Sequence, residues 1–170
     1  MGRITQFYQE TITNNSGDRY SDILAWDDEK LEYCHDYIQW LFPLTEPSRA
    51  VPNSPVLEAE DIAAFLENEE LRAKLRNAFV RMLAFYGLAI QESIEGTQLI
   101  EAPNYQERIT HLVCHSHNYL RITRILKSLR ILGLEAEAQA FFKILQVIYQ
   151  QEKANIGPYT YAYWLQAVTE

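Results

Sequence analysis

The chain has 170 residues, of which 48% are hydrophobic and 22% charged, and its formal net charge is −8 at pH 7. The length is typical of one folded domain, and the composition excludes a disordered chain. The acidic balance argues against broad charge-driven binding to nucleic acid, and no stretch approaches the roughly 18 apolar residues of a membrane span.

Residues 1–26 are predicted to be irregular, apart from a single helical turn around Thr5–Gln9, because TITNNSGD has the composition of a loop. The first residues lack the apolar stretch of a signal peptide, so we expect a cytoplasmic protein. Cys34 and Cys114 are the two cysteines of the chain. Two are too few for a disulfide framework, so both are predicted to be small buried residues.

A central helix is predicted from Asp27 or Asp28 to Phe42, because an aspartate can cap its start and Pro43 ends it. A helix with apolar residues on two sides usually runs through the interior of a fold. The two apolar stripes of this helix consist of Leu31, Cys34, Ile38, Leu41 and Phe42, and of Tyr33, Tyr37 and Trp40.

The proline-rich segment 43–55 is expected to form an extended connector over the surface. Further helices follow from apolar spacing and from the Gly and Pro residues at their ends. Together these features predict an all-α fold, a single compact bundle of about six to seven helices in one domain. The further helices are predicted at Glu58–Leu66, Glu69–Leu88, Pro103 to His115 or His117, from there to Leu132, Ala136–Lys153, and from Gly157 onward.

One cluster of candidate metal ligands lies near residue 111. Glu107, His111 and His115 recur every four residues, and Cys114 and His117 are close in sequence. Paired imidazoles one helical turn apart can bind zinc, but a closed site needs about four ligands. The alternative is a polar helix face whose histidines are partly buried.

A second cluster combines Glu32 and His35, three residues apart on the predicted central helix. This spacing is found in half of a di-iron bundle site, which requires a second such pair and two further glutamates. No second pair is present, so His35 is expected to have a structural hydrogen-bonding role. We therefore expect no metal and no cofactor.

A third cluster is a basic stretch in an acidic chain. From 117 to 134 the chain has four basic residues and no acidic one. These cations are either covered by acidic helices of the same domain or line a groove for an anion or a peptide carboxylate. Leu120 and Ile131 border the same face, so we expect this face to be packed or to line a ligand. The basic residues are Arg121, Arg124, Lys127 and Arg130.

Several strings resemble the conserved domain of the opioid growth factor receptor family. The two longest are LEYCHDYIQWLFPLTEPS at 31–48 and SHNYLRITRILKSLRILGLE at 116–135. RMLAFYGL at 81–88 and NYQERI at 104–109 follow the same pattern in the same order, as do Ile23 and Trp26 upstream. The resemblance covers nearly the whole chain, from about Phe7 onward. His111, Cys114 and His115 depart from the family pattern, which includes the equivalents of Glu32, His35 and His117.

The resemblance implies a non-enzymatic binding function. Animal members of the family are described as receptors for the pentapeptide Met-enkephalin that restrain cell proliferation, at nuclear and perinuclear sites. The resemblance implies that this chain corresponds to the conserved domain, and we expect it to lack the long tail of the animal proteins. The resemblance brings no established set of binding residues.

We therefore favour a module that binds a peptide or protein segment in a groove between helices. The alternative is an enzyme or metal-binding protein that uses Glu32, His35 and the cluster of His111, His115 and His117. Nucleic acid is not expected as a partner. We expect the binding residues His117, Arg121 and Arg124 to share a groove with the central helix. The candidate binding residues are His35, Asp36, Tyr37, Trp40, His117, Asn118, Arg121 and Arg124.

Overall fold

The computed structural model describes residues 1–170. The chain forms two compact units, each described separately below. The N-terminal unit comprises Met1–Ala78 and Ile131–Gly133, and the C-terminal unit comprises Phe79–Arg130 and Leu134–Glu170. The assignment of the chain to a single domain remains a prediction.

Six helices contribute to the N-terminal unit, and buried aromatic side chains form a cluster in its core. Phe7, Tyr8, Tyr20, Trp40 and Phe65 have neighbouring rings, with centroids 4.9–6.4 Å apart. The helices are α1 (Arg3–Tyr8), α2 (Tyr20–Leu24), α3 (Asp28–Tyr33), α4 (Ile38–Leu41), α5 (Ala59–Glu67) and the part of α6 (Glu69–Tyr86) up to Ala78.

The prediction of an irregular segment at residues 1–26 is wrong in part. The helical turn expected around Thr5–Gln9 corresponds to α1, whereas α2 was not expected. Isolated helices of five or six residues are unstable in water, so their formation depends on packing. Ile4, Phe7 and Tyr8 of α1 are fully buried. The Tyr8 hydroxyl also donates a hydrogen bond to the carbonyl of Leu41 at 2.6 Å. These contacts come from residues distant in sequence, which the local pattern does not reveal.

The predicted continuous helix up to Phe42 is interrupted. Helix α3 ends at Tyr33, Cys34 is extended at φ −81° and ψ 139°, and α4 starts only at Ile38. The Tyr37 hydroxyl donates to the carbonyl of Leu31 at 2.8 Å and so satisfies one of the carbonyls left open at the end of α3. Tyr33, the last residue of α3, is 83% exposed, so the predicted second stripe is wrong for that residue. The predicted burial of Ile38, Leu41 and Phe42 is confirmed.

Residues 42–58 contain no helix or strand, as predicted for the proline-rich connector. The connector is not purely superficial, because Leu44 and Leu57 are buried in it. The Leu57 amide donates to the carbonyl of Leu44 at 2.8 Å, which closes the connector into a loop.

The C-terminal unit contains a β-hairpin, so the fold is not strictly all-α. Strand β1 (Leu88–Ser93) pairs antiparallel with β2 (Gly96–Glu101), with Leu88 opposite Glu101 and Ser93 opposite Gly96. The two strands form the complete sheet. The hairpin turn lies in the segment SIEGTQ at 93–98, which follows the predicted helix Glu69–Leu88. Strand β2 lies along a helix, α9 (Glu135–Gln151), and this packing supports a hairpin that is marginal by itself.

The long helices agree with the predicted spacing. The total number of helices, short ones included, is eleven and exceeds the expected six to seven. Gly133, at φ 95°, follows the helix that ends at Ile131, as predicted. Pro158 occupies the first turn of the last helix, also as predicted. None of the helices combines the length and the hydropathy needed to cross a bilayer. The remaining helices of this unit are α7 (Tyr105–Val113), α8 (Ser116–Ile131), α10 (Lys153–Ile156) and α11 (Pro158–Thr169).

Candidate functional site

Two of the predicted binding residues in the N-terminal unit are core residues. Tyr37 is 0% and Trp40 1% exposed. The Tyr37 ring lies 5.5 Å from the ring of Trp26 in an edge-to-face contact, and the Trp40 ring lies 5.1 Å from that of Phe7. The guanidinium of Arg3 covers the Trp40 ring at 5.1 Å. These aromatic rings therefore present almost no surface to a ligand in this conformation.

The other two candidates of this unit are more accessible. His35 is exposed and Asp36 is half-buried, and both lie in the non-helical segment between α3 and α4. The Ser16 hydroxyl donates a hydrogen bond to the carboxylate of Asp36. Because helix α3 ends before this segment, Glu32 and His35 do not share one helix as the di-iron comparison assumed.

In the C-terminal unit, Asn118 has a structural position. Its side chain is fully buried, and its amide donates to the carbonyl of His111 at 2.7 Å. The Tyr86 hydroxyl donates to the Asn118 amide oxygen at 3.1 Å. Asn118 thus connects α6, α7 and α8. Neutral buried amides hydrogen-bonded in this way usually stabilise a fold.

The basic stretch of α8 is mostly inside or at the edge of the molecule. Arg121 is 4% exposed, whereas His117 and Arg124 are half-buried. The expectation that Leu120 marks a packed face is wrong, because Leu120 is 70% exposed. Single exposed apolar residues are common on protein surfaces and need no ligand. Ile131, at the end of α8, is half-buried. A groove shared by these residues and the Leu31–Phe42 segment remains a prediction.

Three histidines form a row where α7 meets α8. The ring centroids of His111 and His115 lie 5.8 Å apart, and those of His115 and His117 lie 5.6 Å apart. His115 is exposed, while His111 and His117 are half-buried. The thiol-bearing Cys114 is exposed rather than buried as predicted, because it occupies the short link after α7. We call His111, His115 and His117 the histidine row.

Hydrogen bonds from α8 hold the link between the two helices. The Tyr119 hydroxyl donates to the carbonyl of Val113 at 2.9 Å and to that of Asn155 at 3.1 Å. Burial raises the pKa of the Tyr119 hydroxyl, which therefore remains a neutral donor at physiological pH. The indole of Trp164 donates to the Tyr119 carbonyl at 3.2 Å. The histidine row consequently lies on a backbone that neighbouring helices hold in place.

An open groove of about 690 Å³ lies in the N-terminal unit, and we call it the acidic groove. Its volume is within the usual range of ligand sites, about 300–1,000 Å³. Residues of α1, α5 and the start of α6 form its walls. Carboxylates at its rim are Glu60, Glu67, Glu69 and Glu70, all exposed, and its other lining residues are Met1, Thr5, Gln9, Ala64, Asn68 and Leu71.

The acidic groove already holds one amine. The α-ammonium of Met1 lies 2.9 Å from a carboxylate oxygen of Glu60. The hydrogen bond from this ammonium lowers the pKa of the Glu60 carboxyl, and Glu60 in turn raises the pKa of the amino group. Both groups are about half exposed, so the pair adds little stability. Its geometry nevertheless demonstrates a carboxylate of the groove in contact with a primary ammonium.

Local helix chemistry positions the acidic rim. The Asn68 side-chain oxygen accepts hydrogen bonds from the amides of Glu70 at 2.9 Å and Leu71 at 3.3 Å, and so caps the start of α6. Acidic residues are favoured in the first turn of a helix, where the backbone amides point outward. Sequence analysis missed this site. The available signal was six acidic residues between Leu57 and Leu71 without an intervening Lys or Arg.

A model of the opioid growth factor receptor conserved region matches residues 4–170. The mouse opioid growth factor receptor is 40% identical over 169 residues, which cover 95% of this chain and 26% of the mouse protein. The rat receptor is 40% identical, with 95% of this chain and 29% of the rat protein covered. An opioid growth factor receptor-like protein 1 of Xenopus tropicalis is 44% identical over 64% of this chain and 21% of its own length. The chain thus spans about a quarter of these relatives, and no solved structure matches it.

Proposed function

The chain belongs to the opioid growth factor receptor family, and from this premise we propose that it is a non-enzymatic module that binds a peptide or protein segment. The relatives carry the names of receptors and not of enzymes, which supports this choice over the catalytic alternative. The net charge of −8 supports a partner other than nucleic acid. A cytoplasmic location belongs to the same proposal.

The acidic groove is the observation that carries this proposal. A peptide of the opioid type begins with a free amino group, and a cluster of carboxylates attracts such a cation. The contact between Glu60 and the Met1 ammonium has the geometry that an incoming amine would adopt at the neighbouring glutamates. The exposed Gln9 and the half-buried Ala64 line the groove beside them and would contact the peptide chain.

The accessible members of the sequence-based set remain proposed binding residues, each within its own unit. His35, Asp36, His117 and Arg124 retain exposed or half-buried side chains. Arg124 is the proposed partner of a peptide carboxylate, because a guanidinium can bind both of its oxygens. The buried members of the set would affect binding only by stabilising the core. They are Tyr37, Trp40, Asn118 and Arg121.

Binding of Met-enkephalin, measured by isothermal titration calorimetry, tests the proposed groove. The double variant Glu67→Gln with Glu70→Gln should weaken binding about tenfold or more, because it removes two charges at nearly constant size. N-acetylation of the peptide should weaken binding similarly, since it removes the ammonium. Both effects should shrink at high salt, which screens exposed charges.

A control with the same change of charge is Glu95→Gln with Glu107→Gln. Both glutamates are exposed and lie in the C-terminal unit, outside the groove. This variant should bind the peptide as the unaltered chain does. Equal binding of the free and acetylated peptides, or equal loss in the two double variants, would exclude the groove as the site. Absence of binding to the unaltered chain would exclude this peptide class.

A further inference from the structure

The histidine row has the chemistry of a transition-metal site. Neutral imidazole is the commonest metal ligand among side chains, and three imidazoles with one open position are typical of zinc sites that bind water or a further ligand. The row gathers three of the four histidines of the chain within a stretch of seven residues. His35, in the N-terminal unit, is the fourth.

The distances between neighbouring imidazole rings are close to those between imidazoles bound to one metal ion. Two imidazoles bound to one tetrahedral zinc at about 2.0–2.1 Å have ring centroids about 5 Å apart. The observed distances are 5.8 Å for His111 and His115 and 5.6 Å for His115 and His117. Each neighbouring pair therefore needs an approach of less than about 1 Å between the rings to share one ion.

The positions of the ligand atoms agree with this estimate. One ring nitrogen of His111 and one of His115 lie within 4.8 Å of each other, whereas two nitrogens on one tetrahedral zinc lie about 3.3 Å apart. His115 is exposed, so its ring can turn toward its neighbours at small cost. His111 and His115 would thus reach a common ion mainly by a rotation of the His115 side chain. The His117 ring, whose centroid lies 5.6 Å from that of His115, would have to turn toward the same ion.

The backbone explains why the three rings face one another. Helix α7 ends at Val113, but Cys114 keeps a near-helical conformation at φ −103° and ψ −11°, so the four-residue spacing of His111 and His115 still resembles one helical turn. Helix α8 then begins at Ser116 and places the ring centroid of His117 5.6 Å from that of His115. The Tyr119 and Trp164 hydrogen bonds described above fix this junction.

Arg108 and His111 contact the same aromatic ring, that of Phe85. The Arg108 guanidinium lies over the Phe85 ring at 5.1 Å, and its Nε donates to the Phe85 carbonyl at 2.9 Å. The same Phe85 ring contacts the His111 ring at 5.2 Å between centroids, which limits the movement of that imidazole. A ligand held in one orientation loses less conformational freedom when a metal binds.

We propose that His111, His115 and His117 bind one divalent transition-metal ion of the zinc class, with a fourth position open to water or to a carboxylate of a partner. This site is independent of the acidic groove, since the histidines belong to the other unit. The imidazoles must be neutral to bind, so the affinity for zinc should fall as the pH is lowered from 7.5 to 5.5.

The test measures zinc binding to the full chain after removal of any histidine tag. Equilibrium dialysis against Zn²⁺ should yield one bound ion per chain, and His115→Ala should weaken its binding at least about tenfold. His35→Ala is the matched control and should bind zinc as the unaltered chain does. Circular dichroism of each variant checks that the fold is retained, which we expect because both histidines are exposed.

Cobalt provides a second readout. Co²⁺ in a tetrahedral nitrogen site has a strong visible spectrum, which a surface-adsorbed ion lacks. This spectrum should appear with the unaltered chain and the His35→Ala variant and disappear with His115→Ala. The proposal is overturned if the unaltered chain retains no zinc, if His115→Ala retains it fully, or if His35→Ala weakens binding as much as His115→Ala does.

Discussion

At the scale of single residues, Asp61 determines how the acidic groove is built. Its carboxylate is fully buried and accepts hydrogen bonds from the Thr5 amide at 2.9 Å and the Thr5 hydroxyl at 2.7 Å. It also accepts from the Glu58 amide at 3.3 Å. Asp61 therefore joins α1 to α5, the two helices that carry Thr5 and Glu60 into the groove. Gly2 leaves room for it, because a Cβ there would lie 2.1 Å from the Asp61 carboxylate.

The substitution Asp61→Ala should lower the free energy of unfolding by about 2–3 kcal/mol, because it leaves the Thr5 donors buried without their acceptor. Asp22→Ala is the control, since Asp22 is exposed and accepts one hydrogen bond, from the Arg19 amide at 2.8 Å. Its cost should stay below about 1 kcal/mol. Urea unfolding followed by circular dichroism measures both. Similar losses in the two variants would contradict the assigned role of Asp61.

At the scale of elements, the connection between α6 and the β-hairpin depends on Gly87. Its φ of 81° lies in the left-handed region, and its carbonyl accepts a hydrogen bond from the Ala102 amide at 2.8 Å. A Cβ at this position would lie 2.9 Å from the Cα of Tyr105 and 2.9 Å from the Cβ of Arg108. The start of α7 thus packs directly on this glycine, and both conformation and space require it.

Gly87→Ala should therefore cost more stability than Gly96→Ala. Gly96, in the hairpin turn, also has a positive φ, at 111°, but a Cβ there would meet no atom within 4 Å. We expect about 1 kcal/mol for Gly96→Ala from backbone strain alone. Gly87→Ala should cost about 2–4 kcal/mol, since overpacking adds to the same strain. Thermal unfolding of both variants provides the comparison, and equal costs would refute the close approach of α7.

At the scale of the whole molecule, buried tyrosine hydroxyls make stability sensitive to alkaline pH. Burial raises the pKa of Tyr8 and of Tyr20 well above the ordinary value, and the charge of Glu10 adds to the effect at Tyr20. Burial, with the charges of Glu101 and Glu152, raises the pKa of Tyr105 to about 12. In the unfolded chain these hydroxyls titrate near pH 10, so the unfolded state loses protons first.

The free energy of unfolding should accordingly stay constant through neutral pH and fall as the pH rises from about 10 toward 12. Tyr105→Phe should make this decline shallower, because it removes one of the shifted groups. Tyr33→Phe should leave it unchanged, since Tyr33 is exposed. Urea unfolding at a series of pH values, together with the ultraviolet absorbance of tyrosinate, measures the effect. Identical profiles for both variants would contradict the assignment to buried tyrosines.

The regular helices and the family of the chain could be predicted from the sequence. Apolar residues at spacings of three and four determine α6, α8 and α9 within a few positions, because each of these helices is long enough to repeat its pattern several times. Gly133 and Pro158 also mark a helix end and a helix start, as predicted. Similarly, strings such as those at 31–48 and 116–135 were specific enough to indicate the family that the comparison with residues 4–170 then established.

The candidate sites were predictable only in part. The histidines were recognised by their spacing, but their order as one row depends on the link at Cys114. Tyr37 and Trp40 were predicted to be binding residues, yet an aromatic side chain suits a ligand site and a core equally well. The acidic groove escaped notice because its walls come from α1, α5 and α6, which are separated by tens of residues.

The sequence by itself therefore determined the long helices, their ends and the family, since these depend on patterns within one continuous segment. The tertiary structure decided the helices α1 and α2, the break at Cys34, the hairpin and the groove. Elements of four to six residues have too few internal hydrogen bonds to be stable alone, so burial against distant residues determines whether they form. Burial depends on the whole fold, which no local pattern contains.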